Sequence, residues 1–153
     1  MHIKSGRSQS DRNSPLNCLN ANLRKASRVI LSLYMEELRE SGLQGTQFTL
    51  LTVLSGMGPA QIGDIAQFMS MDQTTVTRNV NLLKKGGYVD AVRGEEDRRT
   101  RIVRLTDQGR EAVQAAYPLW QKAQTKIWDK LGEEKALQLL EITQMVASLA
   151  EEG

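Results

Sequence analysis

The amino-acid sequence predicts a mainly α-helical fold that carries one small β-hairpin. Apolar residues recur at helical spacing near both ends of the chain, which predicts long amphipathic helices there. Shorter helical patterns lie between them and are separated by glycine and proline. Two short runs rich in β-branched residues flank a polar stretch in the second half of the chain, a pattern typical of a hairpin.

The first predicted helix begins close to residue 14. Ser14 is a good N-cap residue, Pro15 suits the first helical position, and Ser41-Gly42 marks the end. A stripe of apolar residues runs along the helix: Leu19, Leu23, Ala26, Ile30, Leu33 and Leu38. Because so long a stripe cannot be buried inside one small core, we expect it to pack against a second chain.

Three shorter helices and two strands follow. The predicted elements are a helix from Thr46 to the break at Gly56-Met57-Gly58-Pro59, a helix over 61–69, a helix from the N-cap Asp72 to Gly86-Gly87, and strands over Tyr88–Arg93 and Arg101–Leu105. Two helices joined by a short turn make a helix-turn-helix, and a hairpin after them makes a wing. Residues 46–105 are therefore predicted to form a winged helix-turn-helix lobe.

The last third of the chain is predicted to be helical again. Thr106 begins a long helix, in which Pro118 is expected to introduce a kink because proline removes a backbone donor. Gly132 separates this helix from a final one over 133–150. Residues 14–45 and 106–153 thus form a predicted all-α dimerisation region, and the polar residues 1–13 form a flexible arm.

The composition excludes several classes of function. Hydrophobic residues make up 40% of the 153 residues and charged residues 25%, as in an ordinary globular protein. No apolar run approaches the roughly 18 residues of a membrane span, and the polar start lacks the apolar segment of a secretory signal. With one cysteine, Cys18, and one histidine, His2, the chain has no zinc cluster and no preorganised catalytic pair. We expect a cytoplasmic protein that is not an enzyme, uses no metal or cofactor and does not enter the membrane.

The charges are unevenly distributed along the chain. Residues 1–110 contain 16 Lys and Arg against 11 Asp and Glu, whereas residues 111–153 contain 4 against 7. A basic body followed by an acidic helical segment is the distribution expected of a DNA-binding protein with a separate dimerisation region.

The third of the short helices carries the residues that we predict to contact DNA. Val76, Val80 and Leu83 define its buried face at about 100° per residue. The opposite face and its flanks carry Thr74, Thr75, Thr77, Arg78, Asn81 and Lys85. No acidic residue follows Asp72 before the helix ends, so this face suits base edges and phosphates, and Arg78 could bind guanine in a bidentate manner. For this helix alone, a solvated polar face is the alternative.

Arginines cluster around the predicted hairpin. Five of them lie at the tip or on the strands: Arg93, Arg98, Arg99, Arg101 and Arg104. A narrow ribbon that bears arginine can enter the minor groove, where the negative potential is strongest. Asp97 would face phosphates unfavourably, so we assign it a structural role as the partner of a neighbouring arginine. For the hairpin alone, a solvated loop is the alternative.

Three motifs within Met71–Gly109 resemble the MarR family of winged-helix regulators. They are the helix TTVTRNVNLLKKGGYV, the wing residues Asp97-Arg98-Arg99 and the closing Leu105-Thr106-Asp107-Gln108-Gly109. The resemblance implies a triangular homodimer whose first and last helices interlock and whose lobes reach adjacent major grooves of a palindromic operator in double-stranded DNA. By position, it implies groove contacts for Thr74, Thr75, Thr77 and Arg78, and a minor-groove contact for Arg99.

The resemblance also implies regulation. Members of the family usually repress transcription and leave DNA when a small molecule, often phenolic or anionic, binds between the dimer region and the DNA lobes. One branch senses organic hydroperoxides through a cysteine near the start of the first helix, where Cys18 lies. That branch pairs its cysteine with tyrosines, which we do not find near Phe48–Leu51, and a lone cysteine on an apolar helix is usually packed as a small hydrophobe. Trp120 and Trp128 could line an effector pocket, although aromatic residues at helical spacing more often belong to a core.

The principal hypothesis is a sequence-specific transcriptional regulator, a repressor that a small-molecule effector releases from DNA. The alternatives are a redox-sensing regulator acting through Cys18, an architectural DNA-binding protein without sequence preference, and a winged helix used only for protein contacts.

Overall fold

The computed structural model describes residues 14–94 and 100–149, which are mainly helical and carry one antiparallel sheet. The helices are α1 (Leu19–Leu38), α2 (Gly45–Met57), α3 (Ile62–Phe68), α4 (Gln73–Lys85), α5 (Asp107–Leu131) and α6 (Glu133–Ser148), and the strands are β1 (Ala60–Gln61), β2 (Val89–Arg93) and β3 (Arg101–Leu105). The predicted fold class, mainly helical with a small wing, is confirmed. None of the helices within these two ranges combines the length and the hydropathy that a membrane span requires.

The first predicted helix is divided in the structure. One 3-10 turn, Pro15–Asn17, precedes α1 and another, Arg39–Ser41, follows it. Between the first turn and α1, Cys18 has a ψ of 116°, so its backbone is not helical. Gly42 ends the segment with a φ of 72°, a conformation that favours glycine. The uninterrupted helix is therefore shorter than the sequence predicts.

β1 is an element that the sequence analysis missed. It is the outer strand of a sheet ordered β1-β3-β2, with Ala60 opposite Val103 and Gln61 opposite Ile102. A strand of two residues is too short to produce an alternating pattern, so periodicity could not reveal it. Its pairing joins the start of α3 to the wing.

The hydrophobic core lies where α2, α3, α4 and the sheet meet, and the ends of α1 and α5 complete it. The largest fully buried side chains are Leu38, Leu50, Leu51, Leu54, Ile65, Val76, Val80, Leu83 and Val103. These residues come from α1, α2, α3, α4 and β3, so burial of their side chains holds the lobe together and packs the end of α1 against it.

α5 is anchored to the turn that follows α4. The Thr106 hydroxyl donates a hydrogen bond to the Gly87 carbonyl (2.6 Å), and the Gln108 amide donates to the Gly86 carbonyl (3.2 Å). Gly109 lies so close to Tyr88 that an added Cβ would be 2.0 Å from the Tyr88 carbonyl oxygen. The end of α4 is thereby fastened to the start of α5, which continues through Pro118 to Leu131. The kink predicted at that proline stays a prediction.

α1 and α6 leave much of their apolar surface exposed. Leu19 is 79% exposed and Met145 is 61% exposed. Along α6, all of which the structure describes, Ala136 is the one buried residue. Apolar side chains are spread around most of the circumference of α6, which is typical of a helix that is buried on several sides.

Candidate nucleic-acid interface

α4 turns its polar face outward because its apolar face is used in the core. Val76, Val80 and Leu83 are at most 2% exposed. The other faces of the helix line an open groove formed by Gln73, Thr74, Thr77, Arg78, Asn81, Leu82 and Lys85. We call it the α4 groove. Five of the six DNA-contact residues that were predicted on this helix line it. Gln73 and Leu82 are additional members that the sequence analysis did not name.

Thr75, the sixth predicted residue, belongs to the cap of α4. Its amide and its hydroxyl donate to the two carboxylate oxygens of Asp72, at 2.8 and 2.6 Å. The hydrogen bonds from the Thr75 hydroxyl and then from its amide lower the pKa of Asp72 below its usual range. The resulting negative charge is favourable at the positive end of the helix dipole. A DNA contact by Thr75 stays a prediction.

A second groove continues from α4 toward the wing. It is lined by Gln61, Ile62, Gly63, Gln73, Thr77, Thr100 and Arg101. Because Gln73 and Thr77 line both grooves, one polar surface extends from α4 past the start of α3 to β3. Gln61 reaches this surface through the unpredicted strand β1. The one sequence signal that could have indicated a role for Gln61 was its place as a polar residue at the start of a predicted helix.

The last residue pair of the β2–β3 ladder consists of two arginines. Arg93 and Arg101 are directly opposite each other where β2 ends and β3 begins, and both are exposed. Like charges opposite each other destabilise a hairpin, so this pairing favours a polyanionic partner. Arg104 lies on the other face, 3.4 Å from Asp90. The predicted wing-tip residues Asp97, Arg98 and Arg99 lie outside the described residues.

Comparisons with known proteins agree with this arrangement. The sequence profile of the MarR family matches residues 41–100. YfiV, an HTH-type transcriptional regulator of Bacillus subtilis (strain 168), is 31% identical over 111 residues, which cover 65% of this chain and 69% of YfiV. The transcriptional regulator MosR of M. tuberculosis, in a crystal structure with DNA, has a TM-score of 0.80 at 30% identity, covering 89% of this chain and 98% of MosR.

The chain belongs to the MarR family. Its relatives are transcriptional regulators and not enzymes. YdgJ, another HTH-type transcriptional regulator of Bacillus subtilis (strain 168), is 34% identical over 76 residues, which cover 50% of this chain and 46% of YdgJ. The chain therefore spans about half the length of that relative.

This MarR-family chain has a second candidate site, a cavity among α1, α2 and α5. Its volume is about 270 Å³. Its walls are formed by Leu31, Tyr34, Leu38, Gly45, Phe48, Thr49, Thr52, Val53, Tyr117 and Trp120. The rings of Tyr117 and Trp120 stack with centroids 5.5 Å apart and planes inclined by 22°. A largely apolar cavity with a few polar groups is the usual form of a small-molecule site.

Polar contacts join α1 to α5 beside the cavity. The Tyr34 hydroxyl donates a hydrogen bond to the Gln124 side-chain oxygen. The Glu37 carboxylate binds Lys122 (2.8 Å) and also Lys126. Hydrogen bonds from Lys122 and then Lys126 lower the pKa of Glu37, so the carboxylate stays ionised at neutral pH.

The structure distinguishes the two tryptophans and places the cysteine. Trp120 lines the cavity and also packs against the core, whereas Trp128 is half-buried and is not among the cavity residues. Cys18 is exposed at the start of α1 and is not packed as a small hydrophobe. Within residues 14–94 and 100–149, no group of three or more His, Cys, Asp or Glu side chains could hold a metal ion.

Proposed function

We propose that this chain is a cytoplasmic, homodimeric regulator of transcription that reads double-stranded DNA through α4. The α4 groove carries the proposal, because it combines neutral donors and acceptors with Arg78 and Lys85 and contains no acidic side chain. Arginine with threonine and asparagine is a set that can read base edges in a major groove. A purely electrostatic binder would not need the neutral members of this set.

The neighbouring contacts hold the duplex in register. Arg101 and the wing-tip residues Arg98 and Arg99 bind the backbone and the minor groove, while Asn81 and the threonines bind groove atoms or phosphates. Thr77 donates its own proton to the Gln73 carbonyl (2.7 Å), so its oxygen is oriented to accept and its methyl group is free to contact thymine.

A second copy of the chain supplies the two-fold symmetry of a palindromic operator. Apolar side chains of α1 and α6, including Leu19 and Met145, are exposed in one chain and become buried in the dimer. Two α4 helices then enter successive major grooves about 34–36 Å apart.

The proposed regulation is repression that ends when a small molecule occupies the cavity. α5 provides the connection, because it carries Tyr117 and Trp120 in the cavity wall and is fastened by Thr106 to the turn after α4. A ligand that displaces α5 therefore displaces the α4 helices and changes their spacing. Only a ligand that binds the displaced state more tightly can shift this equilibrium.

The test begins with selection of the preferred duplex from a random-sequence pool, followed by fluorescence anisotropy at fixed salt. Replacing Arg78 by Ala should reduce discrimination between the selected and a scrambled duplex by about 1–3 kcal/mol. Arg101→Ala should weaken binding to both duplexes by a similar factor. The slope of affinity against salt concentration should fall by about the amount that one phosphate contact contributes. Lys130→Ala, which removes an exposed cation at the far end of α5, is the matched control and should change neither quantity.

If selection enriches no sequence and affinity depends on salt alone, the chain is an architectural DNA-binding protein. If no duplex binds, the winged lobe is a protein-interaction module. Loss of DNA affinity on treatment with peroxide in the wild type, but not in Cys18→Ser, would identify redox sensing instead.

A further inference from the structure

Gln73 is the first residue of α4 and lies where the two polar grooves meet. It lines the α4 groove together with Arg78, and it lines the second groove together with Arg101. Its side chain is exposed, and none of the described residues forms a hydrogen bond with the side-chain amide. The donor and the acceptor of this amide are therefore available to a partner on the polar surface.

The backbone that carries this amide is held by the first turn of α4. Asp72, the preceding residue, accepts a hydrogen bond from the Thr75 amide (2.8 Å). The Thr77 hydroxyl donates to the Gln73 carbonyl (2.7 Å). On the side of α3, a Cβ added to Gly63 would be 3.5 Å from the Gln73 side-chain nitrogen, so the glycine leaves room for the amide. Binding through Gln73 therefore needs little ordering of the main chain.

A primary amide matches one base in the major groove. Its NH2 group donates and its oxygen accepts, and adenine presents the complementary pair, the N7 acceptor beside the N6 amino donor. Guanine presents two acceptors at the same edge, which suits Arg78 and not an amide. The N-terminal residues of a recognition helix contact base edges, and Gln73 has the first position of α4.

The charges around Gln73 assign attraction and discrimination to different residues. Of the described residues that line the second groove, Arg101 is the one that carries a charge. Arg101 can attract phosphates, whereas a neutral amide adds no Coulomb attraction to them. Gln73 therefore contributes to binding through the geometry of its hydrogen bonds, which depends on the base that it meets.

We propose that Gln73 is a specificity-determining residue that reads one adenine in each half-site through hydrogen bonds to N6 and N7. This assignment rests on the proposed function, because it requires that α4 enters a major groove. Gln73 and Arg78 are five residues apart and project about 140° apart around the helix. The adenine read by Gln73 and the guanine read by Arg78 are therefore at different positions of the half-site.

Selection from the random-sequence pool is carried out in parallel with wild type, Gln73→Ala and Arg78→Ala. Wild type should enrich an adenine and a guanine in each half-site. Gln73→Ala should lose the preference for the adenine and keep the guanine, and Arg78→Ala should do the reverse. The affinity of Gln73→Ala for the wild-type site, measured by fluorescence anisotropy, should fall about five- to a hundredfold. An unchanged selected sequence in Gln73→Ala would overturn the proposal.

A modified base separates a direct contact from a structural role of Gln73. Replacing the selected adenine by 7-deazaadenine removes the N7 acceptor and keeps the pairing with thymine. This change should weaken binding by wild type about three- to tenfold and leave the affinity of Gln73→Ala unchanged. Equal weakening in the two proteins would show that the Gln73 amide does not contact this base.

Gln73→Arg tests whether the residue directs the choice of base. Arginine binds the O6 and N7 acceptors of guanine, so this variant should enrich guanine in place of the adenine. Lys84→Ala, an exposed position near the other end of α4 that lines neither groove, is the matched control and should enrich the wild-type sequence. The thermal midpoints of the Gln73 variants should match that of wild type, because the cap Asp72 is retained.

The assignment of Gln73 and the proposed function fail with different results. If wild type enriches no sequence, the proposed function is wrong and the assignment falls with it. If the guanine depends on Arg78 but no position depends on Gln73, the proposed function stands and the assignment alone is wrong. A uniform loss of affinity for the selected and the scrambled duplex in Gln73→Ala would mean that Gln73 binds the backbone, which also overturns the assignment.

Discussion

The winged lobe and the terminal helices differ in how far their apolar side chains are buried. In the lobe, residues such as Leu51 and Leu83 are fully buried within one chain. In α6, Ile142 is 53% exposed and Met145 61%, although the helix is just as well formed. Fully burying such a side chain contributes about 1.5–3 kcal/mol, so the terminal helices leave a large driving force unused. The lobe therefore buries its apolar residues within a single chain, whereas the terminal helices expose apolar surface that the proposed dimer would cover.

The largest expected effect comes from charging the exposed side of α6. Ile142 and Met145 are close together on the helix surface, and Met145 lies opposite the buried Ala136. Replacing both by Asp would bury two carboxylates in the proposed dimer interface. We expect the dimer dissociation constant, measured by analytical ultracentrifugation, to rise by at least about a thousandfold.

Thr143→Asp provides the control for this prediction. Thr143 is exposed and lies on the same side of α6 as Ala136, seven residues away, so it adds a charge on the side of the helix that faces away from Met145. It should leave the dimer intact. An unchanged dimer in the double variant would show that α6 does not form the interface.

The junction between the two regions gives the next largest effect. Gly109→Ala places a methyl group 2.0 Å from the Tyr88 carbonyl oxygen, a backbone atom that cannot move away cheaply. We expect the free energy of unfolding to fall by about 3 kcal/mol in denaturant titration. Gly56→Ala is the matched control, because an added Cβ there meets nothing within 4 Å, and it should stabilise α2 by about 0.5–1 kcal/mol. Equal changes in the free energy of unfolding for the two substitutions would show that Gly109 is not tightly packed against Tyr88.

The smallest effect concerns the lobe alone. Asp72→Ala removes the cap of α4 and should lower the thermal midpoint at neutral pH by a few degrees while the dimer persists. Because the folded pKa of Asp72 is lowered, its contribution is fully present above the unfolded pKa and is lost as the pH falls through the folded pKa. The difference in thermal midpoint between wild type and Asp72→Ala should therefore become smaller in acid. Asp129→Ala, at an exposed position of α5, should show no such trend. A difference that is constant with pH would mean that the carboxylate charge does not stabilise the cap.

Local sequence signals predicted most of the lobe. The pattern of Val76, Val80 and Leu83, the cap Asp72 and the Gly86-Gly87 stop predicted α4 closely, because each acts within one or two helical turns. The strands of the wing were predicted for the same reason. The prediction failed where the cause was distant in sequence: β1 exists because Ala60 pairs with Val103, more than forty residues away.

The sequence by itself determined where the helices lie, apart from the two ends of the first one, and which face of α4 is polar, because periodicity and capping depend on neighbours along the chain. The tertiary structure decided how those faces are used. Packing of α3, β1 and β3 joins Gln61 and Arg101 to the α4 groove, and packing of α1 against α2 and α5 creates the cavity. The orientation of the Tyr34 proton depends on Gln124, ninety residues along the chain. Such contacts arise only when the folded chain brings distant side chains together, and no local pattern records them.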